Sequence, residues 1–390
     1  MKEHSPLVYK KDTPPSSAKH QDVSVAVKQP RSSNLELYRI ICMLMIVAHH
    51  FVVNSGLSRL NGQLLTDYTS LNSYFLCVFG AWGKTGINCF IMITGYYMCA
   101  SKITIRKYLK LLLQIYFYQF SIYFILLIGG YESLSTLRLV KLCLPFWGFT
   151  NGFSACFVIF YLTIPFWSVL VQNIGRKEHL LLLVLLLSCY SLLGSIPTFH
   201  VSFNYITWFG IIFLIASYIR MYPGKLFDKK GLWGWITFVS VLCAISSIVF
   251  LRLLLREKVG IGYHFISDSN KIFAIIVAVS SFLWFKNMKI KYSKLINAFG
   301  AATYGTLLIH ANSDAMRTWL WKDTIDVVGH YSLPLGQLIF FSIGTVLTVF
   351  VVCNLIDQIR IATIEKWFFK IYDSKLSVAV DQFVKRVTID

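Results

Sequence analysis

The sequence predicts an all-α integral membrane protein, a bundle of about ten transmembrane helices. Three observations predict it. Of 390 residues, 56% are apolar and only 14% are charged, with a mean hydropathy of +0.61; a water-soluble domain carries about 25% charge. Apolar runs of about 20 residues, the length that crosses a bilayer, recur along the chain. The basic residues gather on alternate connecting segments, as they do in membrane proteins that keep one set of loops in the cytoplasm.

Residues 1–33 are rich in Ser, Pro, Lys and Gln, lack apolar periodicity and read as a disordered tail. Spans are expected at about 35–54, 74–99, 109–130, 154–173, 179–195, 204–221, 233–254, 269–286, 296–311 and 335–356. With the amino terminus inside, 26 Lys and Arg fall on inner segments and eight on outer loops. Both termini of this multi-pass plasma-membrane protein are therefore expected in the cytoplasm. Residues 358–390 form a second cytoplasmic tail, within which 361–372 (IATIEKWFFKIY) has the pattern of an amphipathic helix on the membrane surface. Neither tail is long enough for an independent soluble enzyme, so chemistry belongs inside the bundle, residues 34–357.

The formal net charge of +19 is explained by inner loops meeting anionic headgroups, so no nucleic-acid partner is expected. The nine cysteines are odd in number and form no C-x-x-C pair, and they read as small buried hydrophobes. A cleavable signal is not expected, because the first 33 residues are polar and the first apolar run is long and charged. There is no G-x-x-x-x-G-K-[ST], G-x-S-x-G or H-E-x-x-H pattern, which leaves nucleotide hydrolysis and metal chemistry without support. No metal site is expected.

The first span, NLELYRIICMLMIVAHHFVVN (34–54), holds Glu36, Arg39, His49 and His50. Ionisable groups are costly inside a bilayer, so each is a functional candidate. Arg39 and His50 are eleven residues apart, about three turns, which puts them ~16 Å apart along the axis and only ~20° apart around it. Glu36 flanks the same face and can pair with Arg39; His49 points about 80° away. The plain alternative is that Glu36 and Arg39 are headgroup-level charges at a helix start.

Three further stretches stand out. In 80–97, GAWGKTGINCFIMITGYY, Gly80, Gly83 and Gly86 recur every three residues, a spacing that lets membrane helices approach closely. Lys84 and Asn88, four apart, share a face of that span. In 101–111, SKITIRKYLKL, the cluster Arg106, Lys107 and Lys110 sits at the inner mouth, where anchoring alone would explain its charge. In 297–322, His310 ends a helix pattern at the outer face, and Asp314 and Arg317 share its face if the helix continues. A structural histidine and an interfacial aromatic belt (Trp319, Trp321) are the plain alternatives there. Two outer-end groups, His264, Asp268 and Lys271, and Asn204, Tyr205 and Trp208, carry weaker signals.

Arg39, ten intervening residues and His50 together resemble the hallmark of the acyltransferase-3 family of membrane proteins. Gly83, Gly86, Phe90, Gly95 and Tyr96 are similar to that family's second-helix motif, G-x-x-G-V-D-x-F-F-x-x-S-G. Asn88 stands where the family often has Asp, and Thr94 where it often has Ser; Asn can orient a partner but cannot take a proton. Arg106, Lys107 and Lys110 resemble an R-R-x-x-R cytoplasmic loop, with two Lys that keep the charge but lose the bidentate grip of Arg. Tyr304, Gly305, Leu308, Ile309, His310, Arg317 and Leu320-Trp321 resemble the ninth span of polysaccharide-modifying members.

The resemblance covers about residues 34–357. It implies transfer of an acyl group, acetyl in particular, from acyl-CoA (acetyl-CoA) to a hydroxyl of a cell-surface polysaccharide or lipid-linked glycan. His50 would be general base or acyl relay. Arg39, held by Glu36, would fix the donor or stabilise charge on the thioester oxygen. Arg106, Lys107, Lys110 and Lys84 would hold the donor, and Asn88, His310, Asp314 and Arg317 would line the acceptor side. Two other classes stay open: a glycan or lipid transporter or flippase, for which matching halves with broken helices would be expected, and a non-catalytic partner in polysaccharide assembly.

Overall fold

The computed structural model describes residues 32–376 apart from 60, 102, 148–151 and 256–261. The tail expected at 1–33, except its last two residues, lies outside the described residues, as does 377–390. Among the described residues every regular element is helical. In chain order these are α1 (Ser33–Val53), α2 (Gln63–Thr66), α3 (Leu71–Gly80), α4 (Gly83–Met98), α5 (Ile105–Ile128), α6 (Thr136–Cys143), α7 (Phe153–Asn173) and α8 (Arg176–Leu187). After them come α9 (Tyr205–Met221), α10 (Lys230–Leu255), α11 (Ile272–Lys286), α12 (Lys294–Ala301), α13 (Thr303–His310), α14 (Asp314–Thr318), α15 (Leu335–Arg360) and α16 (Lys366–Ile371).

Seven helical stretches are long and apolar enough to cross a membrane, and α9 and α11 are apolar but shorter. The expected span at 296–311 is a broken pair, α12 and α13, interrupted at Ala302. The chain is thus a multi-pass membrane helical bundle. The span expected at 269–286 starts only at Ile272, and the last helix overshoots its expected end at 356, running helical to Ser374.

The burial pattern is that of a lipid-embedded bundle. On α10 the buried positions are Thr237, Ser240, Ala244, Ile248 and Arg252, a mostly small and polar stripe at helical spacing. The large apolar side chains face outward, Trp235 and Phe250 among them. By contrast, α9 buries 13 of its 17 residues and is an interior helix. At the centre, α1 packs against α3, α4, α12, α13 and α15, while α4 also packs on α9 and α11.

The glycine spacing in 80–86 is what seats α3 and α4 on α1. A Cβ at Gly80 would lie 2.8 Å from Val52, at Gly83 2.3 Å from the His49 ring, and at Gly86 2.9 Å from the Cys42 carbonyl oxygen. Side chains at these positions would push α1 away and move His49 and His50 with it.

Buried charges are hydrogen-bonded or paired, as the cost of an isolated ion demands. Arg252, near the end of the expected span 233–254, is buried in the last turn of α10, donating to the Leu64 carbonyl at 2.9 Å and Ser73 Oγ at 2.5 Å. Asp357 is fully buried and accepts from Tyr118 Oη at 2.9 Å, Gln114 Nε2 at 3.2 Å and Arg360 Nε at 2.6 Å. Arg360 also reaches Glu365 at 3.0 Å, and Lys110 meets Glu365 at 2.5 Å. Beyond a π-type widening at 361–365 the chain stays helical; Glu365, Phe369 and Tyr372 are buried, and Lys366, Trp367 and Lys370 are exposed.

Candidate active site

Two helix ends make the site. His50 sits in the last turn of α1, and His310 is the last residue of α13. His310 is fully buried, and its Nδ1 lies 2.6 Å from the carbonyl oxygen of Thr306, one turn back on the same helix. A carbonyl oxygen only accepts, so that nitrogen carries the proton. In the neutral ring Nε2 is then an acceptor, and it faces His50 Nδ1 at 2.9 Å. Hence His50 carries its proton on Nδ1, and its Nε2 keeps a lone pair. The chain of bonds from the Thr306 carbonyl through His310 to His50 fixes both tautomers without any carboxylate. Trp321, fully buried, packs edge-on to His310 with ring centroids 6.4 Å apart and holds its plane. His49 turns its Nδ1 to the Gly80 carbonyl oxygen at 2.6 Å, and it too lines the cavity onto which His50 opens.

His50 opens on a cavity of about 330 Å³ whose polar lining includes Lys84, Gln119, Tyr205, Asn312 and Arg317. Lys84 Nζ donates to Tyr205 Oη at 2.5 Å and lies 3.5 Å from Asp268. Arg317 donates to Asp314 at 2.8 Å and to the Ala311 carbonyl at 3.2 Å. Two polar atoms in the lining, Gln119 Oε1 and Arg317 Nε, are buried with no hydrogen-bond partner among the described residues. A small reactant entering here would meet a hydrogen-bond acceptor at His50 Nε2 and cationic donors on two sides. Although His49, His50 and His310 are neighbours, among the described residues no three His, Cys, Asp or Glu side chains are grouped to hold a metal ion.

The sequence-selected residues separate into three places. His50, Lys84 and Arg317 line this cavity, and His310 stands behind His50, outside the lining. His310, Asp314 and Arg317 do not share one helix, as expected above if the helix continued: α13 ends at His310, and Ser313 caps a new helix by accepting from Met316 N. Arg317 still reaches the cavity because the turn folds it back, while Asp314 stands exposed beside it. Asn88 is buried, with Oδ1 accepting from Trp208 Nε1 at 2.9 Å and Nδ2 donating to the Ser269 carbonyl at 2.7 Å. That environment needs an acceptor and a donor on one side chain, which an amide supplies and a carboxylate does not.

Glu36 and Arg39 lie at the opposite end of α1, paired at 3.8 Å. Glu36 is wedged against α12, where a Cβ on Gly300 would fall 2.4 Å from Glu36 Oε2. Arg106, Lys107 and Lys110 begin α5 at that same end; Arg106 pairs with Asp373 and Lys110 with Glu365. Lys84 is therefore remote from this basic cluster and belongs with His50.

Sequence reasoning missed Gln119, Asn312 and Trp147, which also line the cavity. A signal existed for Gln119, a polar residue inside an apolar span. None existed for Trp147, whose position depends on how the connection after α6 folds back over the site.

No curated protein and no solved structure matches the chain. The family profile described as an acyltransferase domain matches residues 32–356, nearly all of the helical bundle and every residue of the His50 cavity. This chain belongs to the acyltransferase-3 family of membrane acyltransferases.

Proposed function

We propose that this protein is an O-acyltransferase that moves an acyl group, acetyl in particular, from acyl-CoA to a hydroxyl of a cell-surface polysaccharide or lipid-linked glycan. The observation that carries the reading is the His50–His310 pair at 2.9 Å, which leaves His50 Nε2 as an oriented base in a cavity with cationic lining. His50 Nε2 takes the proton of the acceptor hydroxyl as that oxygen attacks the thioester carbonyl. Lys84 and Arg317 line the same space and favour the negative charge that grows on the carbonyl oxygen. As the C–S bond breaks, the imidazolium returns its proton to the leaving sulfur. His310 touches neither reactant and acts as a positioning residue.

Arg106, Lys107 and Lys110 gather positive charge at the other end of the bundle, where the phosphates of the donor would be met on the cytoplasmic side. Two of these already hold carboxylates of the C-terminal helix, so donor binding there exchanges a carboxylate for a phosphate. Arg39, steadied by Glu36, stands about three turns below His50, in position to guide the donor between the two ends.

The test compares cells carrying wild type, His50→Ala or no copy, at matched membrane levels. O-acetyl content of the surface glycan is expected to fall in both mutants with glycan quantity unchanged. Transfer rate in membranes should drop about 10²- to 10⁴-fold in His50→Ala, the usual contribution of a general base. Unchanged acetylation with failed glycan export would replace this reading with a transporter.

A further inference from the structure

A second, larger recess lies beside the catalytic cavity. It is a groove of about 1010 Å³ between α5 and α15, floored by α13 and α14, with an almost wholly apolar lining. Along α15 its lining runs from Phe340 to Ile356, sixteen residues or about 24 Å, close to the ~30 Å of a bilayer's hydrocarbon core. Phe340 is 85% exposed and Ile125 66% exposed, so the groove opens sideways onto the lipid. Only a hydrocarbon chain suits such a slot.

The groove and the catalytic cavity are linked by residues they share with a third recess. At its upper end Tyr131 lines both the groove and a polar recess of about 820 Å³. That recess shares Trp147, Asn312 and Arg317 with the His50 cavity. The recess has the chemistry of a sugar site. It presents the carboxylates of Glu132 and Asp314, the indole of Trp147, and two guanidinium groups. Arg138 spends one edge on Glu132 and Arg317 one on Asp314, each at 2.8 Å. The Nε of each is buried with no hydrogen-bond partner among the described residues.

We infer that the α5–α15 groove holds the hydrocarbon tail of the acyl acceptor, and that the acceptor is a lipid-linked sugar. Its tail lies in the groove, its head turns over Tyr131 into the recess, and one hydroxyl reaches His50 Nε2. Bulk phospholipid would fill a groove but has no use for a polar path ending at a base. The inference rests on the acyltransferase reading and narrows its acceptor to the membrane-anchored form.

The experiment is photo-crosslinking of the full chain in nanodiscs. One probe is a polyprenyl diphosphate N-acetylglucosamine with a diazirine in its tail, and the other is phosphatidylglycerol with the same group. Saturable labelling of peptides within 117–131 and 335–356 by the polyprenyl probe is expected, competed by unlabelled polyprenyl diphosphate sugar and not by phosphatidylglycerol. Gly344 lines the groove and a Cβ there meets nothing within 4 Å. Gly344→Trp should therefore fold and cut that labelling at least tenfold; Thr348→Trp, one turn on in the same wall, is the second blocking variant. His50→Ala should label as wild type does. Equal labelling by both probes without competition, or full labelling in both blocked variants, would overturn the inference. Failure of the acyltransferase reading has a separate signature, normal glycan O-acetylation in His50→Ala whatever the labelling.

Discussion

His310→Phe isolates the contribution of the positioning histidine. Phenylalanine keeps a ring against Trp321 but removes both nitrogens, so the bond from His50 Nδ1 and the tie to Thr306 are lost together. In the proposed mechanism His50 is neutral before reaction and cationic at the transition state. Its bond to His310 then becomes a hydrogen bond from a charged donor, worth about 1.5–3 kcal/mol. The neutral bond present before reaction is worth about 0.5–1.5 kcal/mol, so the gain at the transition state is about 1–1.5 kcal/mol; each 1.36 kcal/mol is tenfold in rate, so kcat should fall about five- to 13-fold. The bond strengthens only as the proton arrives, so KM for acetyl-CoA should stay where it is. The assay follows radiolabelled acetyl from acetyl-CoA into acceptor in washed cell membranes. His310→Gln, whose amide oxygen can accept from His50, should recover to within about threefold of wild type. The double variant His50→Ala, His310→Phe should be no slower than His50→Ala alone, because residues acting as a unit are not additive. A His310→Phe protein at full membrane level with kcat within twofold of wild type would refute the reasoning, as would losses that multiply in the double variant.

Other expectations follow from the same contacts. Gly83→Ala drives a methyl group into the His49 ring and should cost about 1–3 kcal/mol, as overpacking does; thermal unfolding in detergent reads it, with Gly224→Ala, which meets nothing, as the control. Asp357→Asn leaves the buried Arg360 with a weaker partner, and breaking such a pair costs about 3–5 kcal/mol, so this variant should lose its monodisperse peak on gel filtration. Asp373→Asn releases Arg106 from a half-exposed ion pair, an interaction of about 0.2–1 kcal/mol. If the cluster holds donor phosphates, KM for acyl-CoA should fall by up to about fivefold, and an unchanged KM would move the donor elsewhere.

The spans were legible because hydropathy reports where a helix must face lipid, and most ends came within a few residues. His50 was legible for the converse reason: a histidine deep in an apolar run has to be explained. What could not be read was that His310, 260 residues away, closes on His50 Nδ1, since that contact depends on α13 packing against α1. The break after His310 had a signal that was outweighed by the helical spacing of Asp314 and Arg317: Asn312-Ser313-Asp314 is turn and cap chemistry. The settings of Arg252 and of the Asp357–Arg360–Glu365 cluster were not legible either, and Arg360 and Glu365 fell in the expected tail because charge ends a hydropathy window. Their partners, Ser73 for the one and Gln114, Tyr118 and Lys110 for the other, lie on helices far off in sequence.

A neutral histidine as orienter fits the place it occupies. A carboxylate beside His50 would hold an imidazolium more strongly, but it would add a net charge within the bilayer, where an ion without a full partner set is costly. At this end of the bundle the carboxylates nearest the site already have cations: Asp268 faces Lys84, Asp314 holds Arg317, and Glu132 holds Arg138. The resting dyad is therefore neutral, and its tautomers are set by a backbone carbonyl that the helix supplies. In the proposed mechanism the charge that His50 gains is balanced by what forms opposite it, the oxyanion on the thioester carbon. Lys84 and Arg317, which line the same cavity, would favour that oxyanion. In that mechanism, proton transfer to His50 goes together with attack on the thioester, which couples the base to its reaction.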